Sequence, residues 1–157
     1  MRRLLLVALC ALALPACGDG DAGSPSDATA AEWRTLAPST LARTEVAAAR
    51  VGRYVYVVGG FERDSGATTA ATERYDIVRD RWSRVADMPV GLNHAAAVAY
   101  RGRVYVLGGY RGVSGLNDET AAMYRYDPAT DRWRRSTPLP APNHAFGDPL
   151  IPVIACS

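Results

Sequence analysis

The chain has no lysine, and only three cysteines, two histidines and two phenylalanines in 157 residues. All eighteen basic side chains are arginine, which fits the codon bias of a GC-rich genome better than a phosphate-binding device. The formal charge of +2 is accounted for by Arg2 and Arg3, and beyond them Arg and Asp are interspersed without a patch of one sign. Nucleic acid is therefore not an expected partner. Cys10, Cys17 and Cys156 are too few and too scattered for a disulfide framework, and they lack the short-interval pairing of a four-ligand zinc site. There is no Gly-x-Ser-x-Gly elbow, and neither glycine pair leads into Gly-Lys-Ser/Thr, which removes the hydrolase triad and the phosphate loop. The uninterrupted apolar run Leu4 to Leu14 is about eleven residues, where a bilayer span needs about twenty.

That short run follows Met1-Arg2-Arg3, and the two together read as a secretory leader with a positive start and an apolar middle. It ends in Leu14-Pro15-Ala16-Cys17, which resembles the bacterial lipoprotein cleavage box, with Cys17 the residue that takes lipid and Pro15 a departure from the pattern. The plainer alternative is ordinary signal peptidase cleavage near Ala16 with an incidental cysteine. Gly18 to Ala31 is rich in Gly, Ser, Pro and Asp, cannot bury apolar surface, and reads as a disordered tether. Asp19, Asp21 and Asp27 do not make a calcium loop, because Gly23 and Ser24 stand where the acid and the turn glycine belong. The expected setting is the bacterial cell envelope, lipid-anchored and facing out of the cytoplasm, or else secretion.

From Trp33 onward the sequence repeats. Trp33, Trp82 and Trp133 recur at about fifty residues. A similar offset relates Gly59-Gly60 to Gly108-Gly109, Tyr75-Asp76 to Tyr126-Asp127, and Asn93-His94 to Asn143-His144. Each unit reads as four short strands. An apolar run (Val46 to Val51; Ala95 to Tyr100) and a Val/Tyr run (Tyr54 to Val58; Val104 to Leu107) are expected to be buried central strands. A polar loop follows (Glu62 to Thr69; Arg111 to Glu119), then a third strand ending near Tyr75 or Tyr126. A tight turn opened by Asp76 or Asp127 leads to a fourth strand that begins at Arg81-Trp82 or Arg132-Trp133.

The double glycine after the second strand, the Tyr-Asp before a turn and the Trp about six residues later resemble the Kelch repeat. The resemblance implies an all-β fold of Kelch-type β-propeller blades, four-stranded and antiparallel. It predicts about two complete blades plus an orphan N-terminal outer strand at Glu32 to Leu36, and so an incomplete propeller. The expected organisation is a signal peptide at 1–16, a lipidated Cys and tether at 17–31, Kelch repeats at 32–144 with blades near 46–88 and 95–138, and an irregular truncated tail at 145–157. In that tail Pro149 and Pro152 disfavour a central strand. A frameshift, an early stop or an incomplete gene would account for it. Two blades would leave an open Val/Tyr-rich edge on each side, prone to pairing or aggregation.

No catalytic, cofactor or metal residue is assigned. His94 and His144 would lie far apart around a propeller axis with no third repeating ligand, and Thr44-Glu45 stands at their place in the first unit. They read as turn residues. Lipid attachment is expected at Cys17, and the repeat-defining structural residues are Gly59, Gly60, Trp82, Gly108, Gly109 and Trp133. The glycines supply positive φ, and Trp82 and Trp133 are expected to be buried between or within blades. The expected function is a non-enzymatic binding or scaffold module without cofactors, contacting a protein or carbohydrate through the inter-strand loops and a membrane through its lipid. The rival is a fragment of a carbohydrate-active propeller enzyme resembling a sialic acid epimerase or galactose oxidase, and a third reading is a gene remnant.

Overall fold

A computed structural model of the chain describes residues 33–143. The leader, Cys17, the tether, His144 and the tail lie outside the described residues. Among the described residues ten strands occur in the order β1 (Arg43–Thr44), β2 (Ala47–Val51), β3 (Tyr54–Val58), β4 (Phe61–Glu62), β5 (Thr72–Asp76), β6 (Arg81–Arg84), β7 (Ala96–Tyr100), β8 (Arg103–Leu107), β9 (Met123–Asp127) and β10 (Arg132–Ser136). They form two four-stranded antiparallel sheets, β2-β3-β5-β6 and β7-β8-β9-β10, and a two-stranded ribbon of β1 with β4. No helix occurs among the described residues. These are the four-stranded blades of an all-β partial propeller.

Local chemistry explains the strand ends. The turn from β5 to β6 is closed by Asp76, whose Oδ1 accepts the Val78 and Arg79 amides at 3.1 and 3.2 Å. Asp127 does the same work after β9, accepting the Ala129 amide at 3.1 Å. Asp80 and Asp131 then take positive φ, which Asp tolerates better than most side chains.

The core lies between the two sheets. Blade 1 contributes Ala47, Ala49, Tyr56 and Val58; blade 2 contributes Val104, Val106, Tyr124 and Tyr126. The Tyr56 and Tyr126 rings meet at 5.4 Å across the boundary. The inner strands are not central strands, contrary to the sequence expectation: β2 and β7 are sheet edges. Their burial comes only from a neighbouring blade. β2 packs against β7 and β8, and Ala47 and Ala49 are buried, whereas β7 leaves Val98 and Tyr100 exposed.

A recurring clasp ties each blade to the segment before it. The Ala86 amide donates to Asp131 Oδ1 at 2.8 Å, and its carbonyl accepts the Trp133 indole at 2.8 Å. Tyr126 braces the clasp by donating to Asp131 at 2.7 Å and stacking on Trp133 at 5.1 Å. Blade 1 repeats it on Ala37, through Asp80, Trp82 and Tyr75. Trp82 and Trp133 are thus half-buried, with their polar edges spent on the backbone, while Trp33 is 99% exposed. Residues 33–36, expected as an outer strand without partners in this chain, form no ladder among the described residues. The third strands that could accept it, β5 and β9, already pair with β6 and β10.

The two junctions differ in chemistry. In blade 2 the pair Leu92 and Tyr124 belongs to the apolar cluster. Blade 1 carries Arg43 and Glu73 at those places, joined at 2.8 Å with side chains 2% and 0% exposed. Ser39 and Thr40 add hydroxyl donors to the Glu73 carboxylate.

Candidate functional site

The glycine pairs set where the chain leaves each sheet for the rim. Gly59 and Gly108 both have φ of 66°, and a Cβ on them would lie 2.2 Å from the Leu92 carbonyl oxygen and 2.1 Å from that of Asn143. A side chain is excluded twice, by torsion and by space. Asn143 therefore occupies the place of Leu92 rather than Asn93, one residue out of step with the Asn-His match read from the sequence. Both backbone carbonyls accept the amide of the second glycine, from Gly60 at 2.8 Å and from Gly109 at 2.6 Å.

Beyond the glycines, the loops of the two blades lie side by side. The first is pinned by the ribbon of β1 with β4 and by the Arg63 amide on the Ala42 carbonyl at 2.9 Å. The second is a hairpin closed by Arg111 and Asp118, paired at 2.8 Å, with the Gly112 amide on the Asn117 carbonyl at 3.1 Å. Thr68 joins the loops, its amide donating to the Val113 carbonyl at 2.8 Å and its hydroxyl to the Gly112 carbonyl.

Asn93, fully buried, holds the junction beneath. Its Nδ2 donates to Thr68 Oγ1 at 2.8 Å and to the Tyr110 carbonyl at 3.3 Å, which turns its Oδ1 toward His94 Nδ1 at 2.8 Å. His94 Nε2 lies 3.3 Å from Glu45, and its ring meets Phe61 and Tyr110 edge-on, each at 5.9 Å. Burial raises the Tyr110 hydroxyl above its ordinary pKa, and the Glu119 carboxylate beside it adds to the shift.

Glu45, Phe61, Glu62, Arg63, His94 and Leu116 are among the residues that wall an open cleft of about 540 Å³. Val113 and Leu116 stand at the loop tip, 78% and 61% exposed. The lining combines carboxylates, a guanidinium, an aromatic wall and the apolar Leu116, a mixture suited to contact with a partner. Among the described residues no three His, Cys, Asp or Glu side chains converge as metal ligands would.

Of the residues singled out from the sequence, the glycine pairs shape the base of the rim, and Trp82 and Trp133 serve the clasps on the outer strands. Cys17 is outside the described residues. Sequence reasoning missed Thr68 and Asn93 as the links between loops, and it read the second loop as polar although it carries Val113 and Leu116. The return of Asn at 93 and 143 was the available signal for a buried amide, but in a different register.

The Kelch motif matches residues 42–89 and 91–140 of the chain. Kelch-like protein terF of Aspergillus terreus is 38% identical over 111 residues, covering 65% of this chain and 24% of that protein. Beta-scruin of Limulus polyphemus is 30% identical over 114 residues, covering 71% of this chain and 12% of that protein. Kelch-like protein 15 of Danio rerio is 38% identical over 77 residues, or 49% of this chain and 12% of its own length. The chain thus spans a quarter or less of these relatives.

Proposed function

Because the chain belongs to the Kelch-repeat family, we propose that it is a non-enzymatic interaction module that takes a protein segment at the rim formed by loops 61–69 and 111–119. The observation that carries this reading is the joining of two loops from different blades beside one cleft lined by exposed Leu116, with exposed Val113 on the same loop. Loops held by a rigid sheet scaffold can recognise a partner without ordering a long segment on binding.

The test is to pan a displayed random-peptide library against the chain. Enriched peptides should lose at least tenfold in affinity for a Val113→Asp, Leu116→Asp variant whose melting temperature is unchanged. Peptides that bind both chains equally, or no enrichment, would overturn the reading.

The module is further proposed to act outside the cytoplasm, tethered by lipid on Cys17. The basic start, the apolar run and the Ala16-Cys17 box support this, and more than one acyl chain would be needed for stable anchoring. In a bacterial host, labelled palmitate should enter the wild type and not Cys17→Ala, which should move to the soluble fraction. Absence of label in the wild type would reject the anchor.

A further inference from the structure

Blade 2 gathers on one face arginines that lie scattered along the sequence. Side chains alternate along a strand, so with Val104, Val106, Tyr124 and Tyr126 buried against blade 1, Arg103, Tyr105, Arg125 and Asp127 stand on the opposite face. The register sets Arg132 opposite Asp127 and Arg134 opposite Arg125, and Arg101, in the turn before β8, lies over the Tyr100 ring at 5.1 Å. Five guanidinium groups thus meet one carboxylate of these strands. That carboxylate is engaged by Arg103 at 3.1 Å, and Arg125, Arg132 and Arg134 form no ion pair among the described residues.

Blade 1 differs at the places that matter. Its cross-strand row Ala49, Tyr56, Arg74, Ser83 becomes Val98, Tyr105, Arg125, Arg134 in blade 2. In the next row Tyr100 stands for Val51 and Arg103 for Tyr54. Arg74 is provided for: its Nε donates to Ser83 Oγ at 3.1 Å, its guanidinium lies 4.8 Å from the Tyr54 ring, and it helps to hold the Asp131 carboxyl low. Blade 2 replaces both of the first two partners by arginine. Like charges directly opposite on neighbouring strands destabilise a sheet, and a shared anion turns that repulsion into attraction.

Charge is half of this surface. Val98 and Tyr100 on the edge strand β7 are 48% and 45% exposed, and Tyr105 and Leu107 beside them are half-buried. An aliphatic and aromatic margin next to a field of arginines suits the boundary of a bilayer, where tyrosine lies at headgroup depth and guanidinium groups meet lipid phosphate. A soluble polyanion would satisfy the arginines and leave Val98 and Tyr100 in water.

We propose that this face of blade 2 is a docking surface for an anionic phospholipid bilayer, with Arg125 and Arg134 sharing lipid phosphate and Val98 and Tyr100 reaching into the headgroup layer. Charge complementarity and the exposed apolar margin together select this occupant. The surface shares no residue with the rim cleft, and it needs no lipid on Cys17.

The experiment uses the full chain with its three cysteines changed to serine and an environment-sensitive dye on Val98→Cys, so that the signal comes from this face whichever other segment touches lipid. The probes are vesicles of phosphatidylcholine alone and of equal parts phosphatidylcholine and phosphatidylglycerol, at low salt. The dye should shift to the blue on the anionic vesicles and not on phosphatidylcholine, and added salt should reverse the shift. Arg125→Gln with Arg134→Gln should weaken this binding roughly tenfold or more, as the loss of two charges at an anionic surface requires. The same pair should not lower the melting temperature, because it relieves a repulsion. Arg125→Lys with Arg134→Lys keeps the charge and should keep most of the binding. Should the glutamine pair unfold the blade, Arg132→Gln on the exposed outer strand should by itself give about a fivefold loss. An equal dye shift on both kinds of vesicle, or equal affinity of a folded glutamine variant and its parent, overturns the proposal. So does an equal shift with dextran sulfate in solution, since that would give the face to a soluble polyanion.

Discussion

The buried Arg43 and Glu73 pair is the residue-level feature that most departs from the repeat. Burial by itself raises the Glu73 pKa, but the donors Thr40 and Ser39 and the Arg43 guanidinium outweigh it, and the carboxyl is held below its ordinary range. Arg43 Nε is buried without an acceptor among the described residues, so the pair is incompletely satisfied. Removing one partner strands the other charge. Arg43→Leu or Glu73→Tyr alone should cost about 3–5 kcal/mol, while the double variant, which copies Leu92 and Tyr124, should be neutral or stabilising. Urea denaturation of the four proteins closes that cycle, and an additive double loss would contradict it. Asp131 is also held low, by the Tyr126 hydroxyl and then by the Ala86 amide. For both carboxyls the folded pKa lies below the unfolded one. Their stability contribution is therefore complete only above the unfolded values, from about pH 5 upward, and is lost as pH falls from there through the depressed folded values. Denaturation midpoints between pH 7 and pH 3 should fall in that lower range, and Asp131→Asn should flatten the fall. The clasp tryptophan has its own test. Trp133→Phe keeps a ring on Tyr126 but deprives the Ala86 carbonyl of its donor, and should cost about 1–2 kcal/mol.

At the scale of elements, the glycine pairs decide where a strand ends and a rim loop begins. Gly52 and Gly59 both have positive φ, but a Cβ at Gly52 meets nothing within 4 Å while one at Gly59 strikes the Leu92 carbonyl. Gly52→Ala should cost about 1 kcal/mol from torsion alone, and Gly59→Ala clearly more, because the neighbouring segment must also move. Thermal denaturation of both variants ranks them, and equal losses would mean that the close approach carries no energy. The strands themselves were legible because β-branched and aromatic residues alternate between turn formers, as in Tyr54 to Val58. The edge position of β2 and β7 was not legible. Their apolar runs answer to a neighbouring sheet, which lies tens of residues away in the chain.

For the molecule as a whole, the uncovered face of blade 2 has a measurable signature. Val98, Tyr100 and partly exposed Tyr105 form an apolar strip of the kind that binds hydrophobic dyes. Val98→Lys with Tyr100→Lys should reduce dye fluorescence at least twofold without lowering the melting temperature. An unchanged signal would locate the dye elsewhere, such as the Val113 and Leu116 rim. The clasp of Asp131 and Trp133 on Ala86 acts between the two blades, so its loss should loosen the junction more than either sheet. Hydrogen exchange should then rise first at Ala86 and later within β3 and β8.

The sequence by itself determined the repeat, the strand count of each blade, the turn residues and the family, because these depend on local torsion and on side-chain period over a few residues. It also marked Cys17 and the glycine pairs as positions of note. Tertiary structure alone decided that Thr68 and Asn93 join the two rim loops, that Trp82 and Trp133 each grip a backbone carbonyl of the preceding segment, and that Arg43 finds Glu73 thirty residues on. Those contacts rest on distances between chain segments that no local propensity encodes. They arise only once one sheet has buried its face against the next.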